Sequence, residues 1–93
     1  MKISVIVWAE FLCGPVSDDA IAIIESLVSE PVALLSEDAR RGAELFNVTG
    51  RRRGSLADCL IAATCIRLHA ALATNNISDF ARFQPIGLRL AAA

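Results

Sequence analysis

Three acids stand where an acid is either unexpected or useful: Glu10, Asp58 and Asp79. Glu10 interrupts the apolar segment from Ile3 to Cys13. Asp58 opens a long apolar helical stripe, and Asp79 follows a short apolar run and the polar pair Asn75-Asn76. In open parallel sheets, ligands bind outside the carboxyl ends of the strands, so polar residues just after strands and at helix starts are the informative ones. Carboxylates that converge there make a magnesium or manganese site, because these hard cations take oxygen ligands and bridge to substrate phosphates. Each acid also has a structural reading. Ser55-Leu56-Ala57-Asp58 has the form of a capping box, Asp79 after Ser78 fits a helix-start acid facing the dipole, and Glu10 fits the solvent face of its own helix. Arg51, Arg52 and Arg53, between Gly50 and Gly54, are either a solvated loop or contacts for phosphates.

The elements that must position these residues read as alternating helices and short apolar strands. Ser4 precedes a segment that starts with β-branched Val5-Ile6-Val7, continues in helix-favouring residues and stops at Gly14-Pro15. Ser17 with Asp18-Asp19 predicts a second helix over about 17–29, ended by Pro31. Val32 to Leu35 reads as a short buried strand, and Ser36 as the cap of a third helix from Glu37 to about Val48. Ser55 then caps the clearest helix, whose stripe is Leu60, Ile61, Thr64, Cys65 and Leu68, with His69 as a favourable C-terminal residue. A buried strand at Ala70–Thr74, a short helix from about Ser78 to Phe83, a turn at Gln84-Pro85 and a last strand near Ile86–Leu90 complete the chain, with 91–93 as a frayed tail. This alternation is the pattern of an α/β fold with a parallel sheet.

Composition narrows the class. The chain has 93 residues, 55% of them apolar, which fits one small globular domain and excludes disorder. Glu10 cuts short an N-terminal apolar run too brief for a secretory signal, and no run approaches the ~18–20 apolar residues of a membrane span. Cys13, Cys59 and Cys65 are odd in number and lack C-x-x-C spacing, so they read as buried apolar residues in a reduced, cytoplasmic setting. Trp8, Phe11, Phe46, Phe80 and Phe83 read as core. The net charge of −1 hides an asymmetry: residues 1–49 carry −5 and residues 50–93 carry +4, compatible with a polyanion approaching one side.

Three blocks together resemble the PIN domain, and within it the VapC-type ribonuclease toxins of bacterial toxin–antitoxin pairs. They are Ile3-Ser4 through Ala9-Glu10-Phe11-Leu12-Cys13-Gly14, Asp58-Cys59-Leu60-Ile61-Ala62-Ala63-Thr64, and Thr74-Asn75-Asn76-Ile77-Ser78-Asp79-Phe80. The resemblance implies a three-layer α/β/α domain with a short parallel sheet, in which Glu10, Asp58 and Asp79 hold Mg²⁺ or Mn²⁺ and Asn76 and Thr74 support the last acid or the substrate. It implies metal-dependent hydrolysis of RNA, Arg51–Arg53 as phosphate contacts, a VapB-like antitoxin as partner and a homodimer, with no membrane association. Hydrolysis by a metal-activated water needs no nucleophilic side chain, in keeping with the lack of a Ser/His or Cys/His pair.

One departure is large. Family members begin with a central strand ending in Asp-Thr-Asn, which supplies the first catalytic acid, and one or two helices before the block that starts here at Ile3. The resemblance therefore implies an N-terminally truncated domain that lacks this strand and one carboxylate. Two readings follow: a metal-dependent endoribonuclease, or a catalytically inactive remnant acting at most as a protein-binding module through exposed apolar surface.

Overall fold

The structure, a computed structural model, describes residues 3–27, 31–52, 55–74 and 76–91. The chain divides into two units, Met1–Leu34 and Leu35–Ala93. In the first, α1 (Val5–Cys13) starts at Ser4, whose Oγ accepts the Val7 N–H at 3.2 Å. That cap settles the ambiguity of Val5-Ile6-Val7 in favour of helix, since it satisfies a donor that the first turn leaves without an intrahelical partner. The helix ends where the Gly14 N–H donates to the Phe11 carbonyl, ahead of Pro15. Ser17 caps α2 (Asp18–Leu27) in the same way, accepting the Ala20 N–H at 3.1 Å, with Asp18 and Asp19 in the first turn. The predicted last turn, at Val28 and Ser29, lies outside the described residues.

The expected strand at Val32–Leu35 reduces to one parallel bridge. Val32 donates to the Ile3 carbonyl at 2.7 Å and accepts from the Val5 N–H at 2.9 Å, while Ala33, Leu34 and Leu35 are exposed. A single bridge suffices there because Ser4 turns directly into α1 and leaves no further strand to pair with. Trp8 and Phe11, one turn apart on α1, stack with ring centroids 5.6 Å apart and are half-buried rather than core.

The second unit is built on α3 (Ser36–Val48) and α4 (Leu56–Arg67). Ser36 is the first residue of α3, not its cap. Leu35 takes the cap position, and because a leucine side chain accepts nothing, the Asp38 carboxylate reaches back to the Leu35 N–H at 2.9 Å. The other Asp38 oxygen accepts from Arg67 Nε at 2.8 Å, which ties the start of α3 to the end of α4. Between these ends the helices approach closely at Gly42, where a Cβ would come within 2.6 Å of Leu60 Cδ2.

Leu45 from α3 and Cys59, Ile61, Ala62 and Ala63 from α4 are buried with Phe80, Phe83 and Leu88. Helix α4 is thus covered on more sides than its predicted stripe, because its alanines admit neighbours all round. Of the cysteines only Cys59 is buried; Cys65 is half-buried and Cys13 is exposed. Phe46 is half-buried, so the aromatic core comes down to Phe80 and Phe83.

After α4 the chain turns at His69, which adopts a left-handed φ of 52° and lies past the helix rather than in its last turn. Strand β1 (Ala71–Leu72) pairs in parallel with β2 (Arg89–Leu90), Ala71 opposite Arg89 and Leu72 opposite Leu90. The Ala91 N–H extends this ladder by donating to the Leu72 carbonyl at 2.8 Å; Ala92 and Ala93 lie outside the described residues. Between the strands runs α5 (Ile77–Phe80) and then a 3-10 helix over Ala81–Ile86. That helix replaces the predicted turn at Gln84-Pro85, and it closes at Gly87, whose φ of 120° suits glycine. The parallel pairing and the predominance of helix are those of an α/β fold, as the sequence pattern predicts.

Candidate functional site

Asp58 is not held in a capping box. Ser55 has φ −97° and ψ 0°, accepts no capping bond, and its hydroxyl donates instead to the Arg52 carbonyl at 2.7 Å. The Asp58 carboxylate is thereby left to the environment beyond its own helix. Asp79, half-buried in α5, lies close enough to raise the Asp58 proton affinity. Burial pushes the Asp58 carboxyl above the usual carboxylate range, and the neighbouring Asp79 charge adds to this, while Arg82 and Arg52 pull in the opposite direction. Asp58 and Asp79, two acids of the predicted site, therefore lie within electrostatic reach of each other in the second unit.

Arg82 completes this arrangement and was not among the residues singled out from the sequence. Its Nη2 lies 3.9 Å from Asp58 Oδ2, its Nη1 donates to the Asp79 carbonyl oxygen, and its guanidinium carbon sits 4.4 Å from the centroid of the Phe83 ring. Nε and Nη2 are both buried with no hydrogen-bond partner among the described residues. The signal available in the sequence was spacing: Arg82 follows Asp79 by three residues in a helical segment, which places them one turn apart.

The supporting residues are arranged around α5. Thr74 Oγ1 accepts the Asn76 N–H at 3.0 Å, fixing the backbone that enters the helix, and Asn76 occupies the cap position with its side chain exposed and making no capping bond. Among the loop arginines, Arg52 is exposed, and its charge reaches Asp58. Arg51 is also exposed, with a φ of 54°; its Nη1 donates to Asn47 Oδ1 at 3.1 Å, and it lies over the Phe46 ring at 5.9 Å. Arg53 lies outside the described residues.

Glu10 belongs to the first unit. It is exposed on α1, on a concave face shared with Val5, Ile6, Ala9 and Cys13. Among the described residues, no three His, Cys, Asp or Glu side chains gather into a group that could hold a metal ion. The donor chemistry at Asp58 and Asp79 nevertheless fits a hard divalent cation. Two carboxylates within electrostatic reach of each other are donors of the kind that Mg²⁺ uses when water and phosphate oxygens fill its other positions.

The parallel strand pair among helices defines an α/β unit, with Asp58 and Asp79 in the first turns of α4 and α5. The model of the PIN domain matches residues 1–84, and the chain belongs to the PIN domain family. Its mostly helical α/β fold with a short parallel sheet is in keeping with that family's architecture, and PIN domains are generally metal-dependent nucleases, which makes the protein a hydrolase at the coarse level. No curated protein matches the chain.

Proposed function

We propose that the protein is a Mg²⁺- or Mn²⁺-dependent endoribonuclease of the VapC toxin type, acting in the cytoplasm as one half of a toxin–antitoxin pair. The observation that carries this reading is the match to the PIN domain over residues 1–84, in a chain that keeps Asp58 and Asp79 within electrostatic reach of each other. Asp58 and Asp79 would hold the cation. When bound, such a cation lowers the pKa of a coordinated water and stabilises charge on the phosphodiester.

The chain's own residues have separable tasks. Burial of Asp58 removes part of the water around its carboxylate, which strengthens its pull on a cation. Thr74 holds the backbone at Asn76 and so fixes the start of the helix that presents Asp79. Arg51, Arg52 and Arg53 contribute positive charge for RNA phosphates, a sequence-independent attraction that weakens as salt rises. A VapB-like antitoxin and a second copy of the chain are the proposed protein partners.

The test is cleavage of single-stranded and structured RNA by the purified protein in Mg²⁺, Mn²⁺ or EDTA, with DNA run in parallel. Metal-dependent RNA cleavage is expected, and Asp58→Asn or Asp79→Asn should each reduce it by at least about 100-fold, beyond the ~10–100-fold that loss of an outer-shell partner costs. Intact RNA under all metal conditions, from a protein that still melts cooperatively, would remove the enzymatic reading and leave a protein-binding module.

A further inference from the structure

We infer that Arg82 is the built-in counter-cation of Asp58: a positioning residue whose fixed charge offsets that carboxylate beside the turn that carries Asp79, and which a divalent cation must outcompete. Three observations lead there. Arg82 Nη2 lies 3.9 Å from Asp58 Oδ2. Its position is set from two sides, by the Phe83 ring beneath it at 4.4 Å and by the Asp79 carbonyl that accepts from Nη1. Phe83 is itself fully buried, so the guanidinium rests on an immobile platform.

The third observation is the way in which the contact with Asp58 is incomplete. The 3.9 Å separation is outside hydrogen-bonding range, and Nε and Nη2, which form one edge of the planar fork, are buried without a hydrogen-bond partner among the described residues. A purely structural ion pair in this unit looks different: Arg67 Nε meets Asp38 Oδ1 at 2.8 Å, and Asp38 is almost wholly buried. Buried donors left unpaired are costly, so this edge of Arg82 is not a packing device like the Arg67 pair. It supplies charge at a distance and leaves the Asp58 oxygens free to take another ligand. The same charge repels an incoming divalent cation, so Arg82 lowers the site's metal affinity while keeping the acid pair compatible with folding in its absence.

The competition with metal rests on the proposed nuclease reading; the charge compensation does not, and the test separates them. Thermal melts in EDTA at fixed pH are measured for the wild type, Arg82→Gln, Asp58→Asn and the double variant, with Arg82→Lys as the charge-keeping control. Arg82→Gln should lower Tm, and adding Asp58→Asn should recover roughly 3–6 °C of that loss, because the uncompensated repulsion is gone. Arg82→Lys should stay near wild type. If Arg82→Gln does not fold, Arg82→Met, which keeps the contact with Phe83 and removes the charge, enters the same cycle. Additive effects of the two substitutions would overturn the inference.

Calorimetric titration with Mn²⁺ is the second arm. Arg82→Gln should bind roughly three- to tenfold more tightly than wild type, and Arg82→Lys should restore the wild-type affinity. Unchanged or weaker binding by Arg82→Gln, beside a wild type that binds, would overturn the inference. Absence of Mn²⁺ binding in every variant, with the melting cycle still coupled, would overturn the metal-dependent function and leave the counter-cation assignment supported.

Discussion

Helices α1 and α2 in the first unit and α3 and α4 in the second are of similar length, yet only the second pair encloses a core. Neither α1 nor α2 carries a buried residue, and Leu12, Ile23 and Leu27 stand exposed among them. In the second unit Leu45, Cys59, Ala62 and Phe83 are almost completely removed from solvent. The difference does not follow apolar content, because α1 reads Val-Ile-Val-Trp-Ala-Glu-Phe-Leu-Cys and α3 is full of charges. It follows complementarity: Gly42 lets α3 approach Leu60 on α4, Asp38 and Arg67 lock the ends, and Ala62 and Ala63 of α4 are buried together with Phe80 and Phe83. Apolar residues become core only where a partner surface fits them. The candidate site divides accordingly, with Asp58, Asp79 and Arg82 in the well-packed unit and Glu10 in the other.

The largest test of this contrast is Phe83→Ala. Removing a fully buried ring from the second unit should cost about 3–5 kcal/mol and abolish the platform under Arg82, read by chemical denaturation. A loss below about 1 kcal/mol would mean that the core lies elsewhere.

Acid titration sharpens the same comparison at the α3–α4 lock. Burial alone would raise the Asp38 carboxyl, but the Arg67 hydrogen bond, the Leu35 N–H and the Arg67 charge outweigh it and hold the pKa below the usual carboxylate range. A depressed folded-state pKa contributes stability that is present above the unfolded value near ~3.9 and is lost as pH falls through the folded value. Wild type should therefore lose helical signal below about pH 4, and Asp38→Ala should lower Tm at neutral pH by more than about 10 °C, a difference that shrinks toward acid. Equal melting of the two proteins at neutral pH would show that the pair does not lock the helices.

The smallest expected effect lies in the first unit. Ser4→Ala removes the cap of α1 and should weaken that helix by about 1 kcal/mol, seen as faster hydrogen exchange at Val7 with amides of α4 unchanged. Faster exchange in α4 as well would mean that the two units share stability beyond what each builds alone.

The helices were legible because their boundaries are chemical. Ser4 and Ser17 accept the bonds that their side chains predict, and Gly14-Pro15 stops α1 where expected. Two other serines defeat the same reasoning for local reasons: Ser36 is displaced by the Asp38 carboxylate, and Ser55 turns its hydroxyl toward Arg52. Asp58 and Asp79 could be singled out from their positions at helix starts, whereas Arg82 lay unnoticed in a short segment that reads as the approach to a turn. Its importance depends on Phe83 and on the distance to Asp58, which no spacing rule supplies.

From the sequence alone came the α/β alternation, the places where helices begin and stop, and the acid types suited to a hard cation, because capping, chain breaking and ligand chemistry are properties of residues and their near neighbours. Only the tertiary structure decided that apolar α1 carries no buried residue while charged α3 joins the core, and that Arg82 stands beside Asp58. Those outcomes depend on which surfaces meet across long stretches of chain, and packing and screened charge are set by that distance in space.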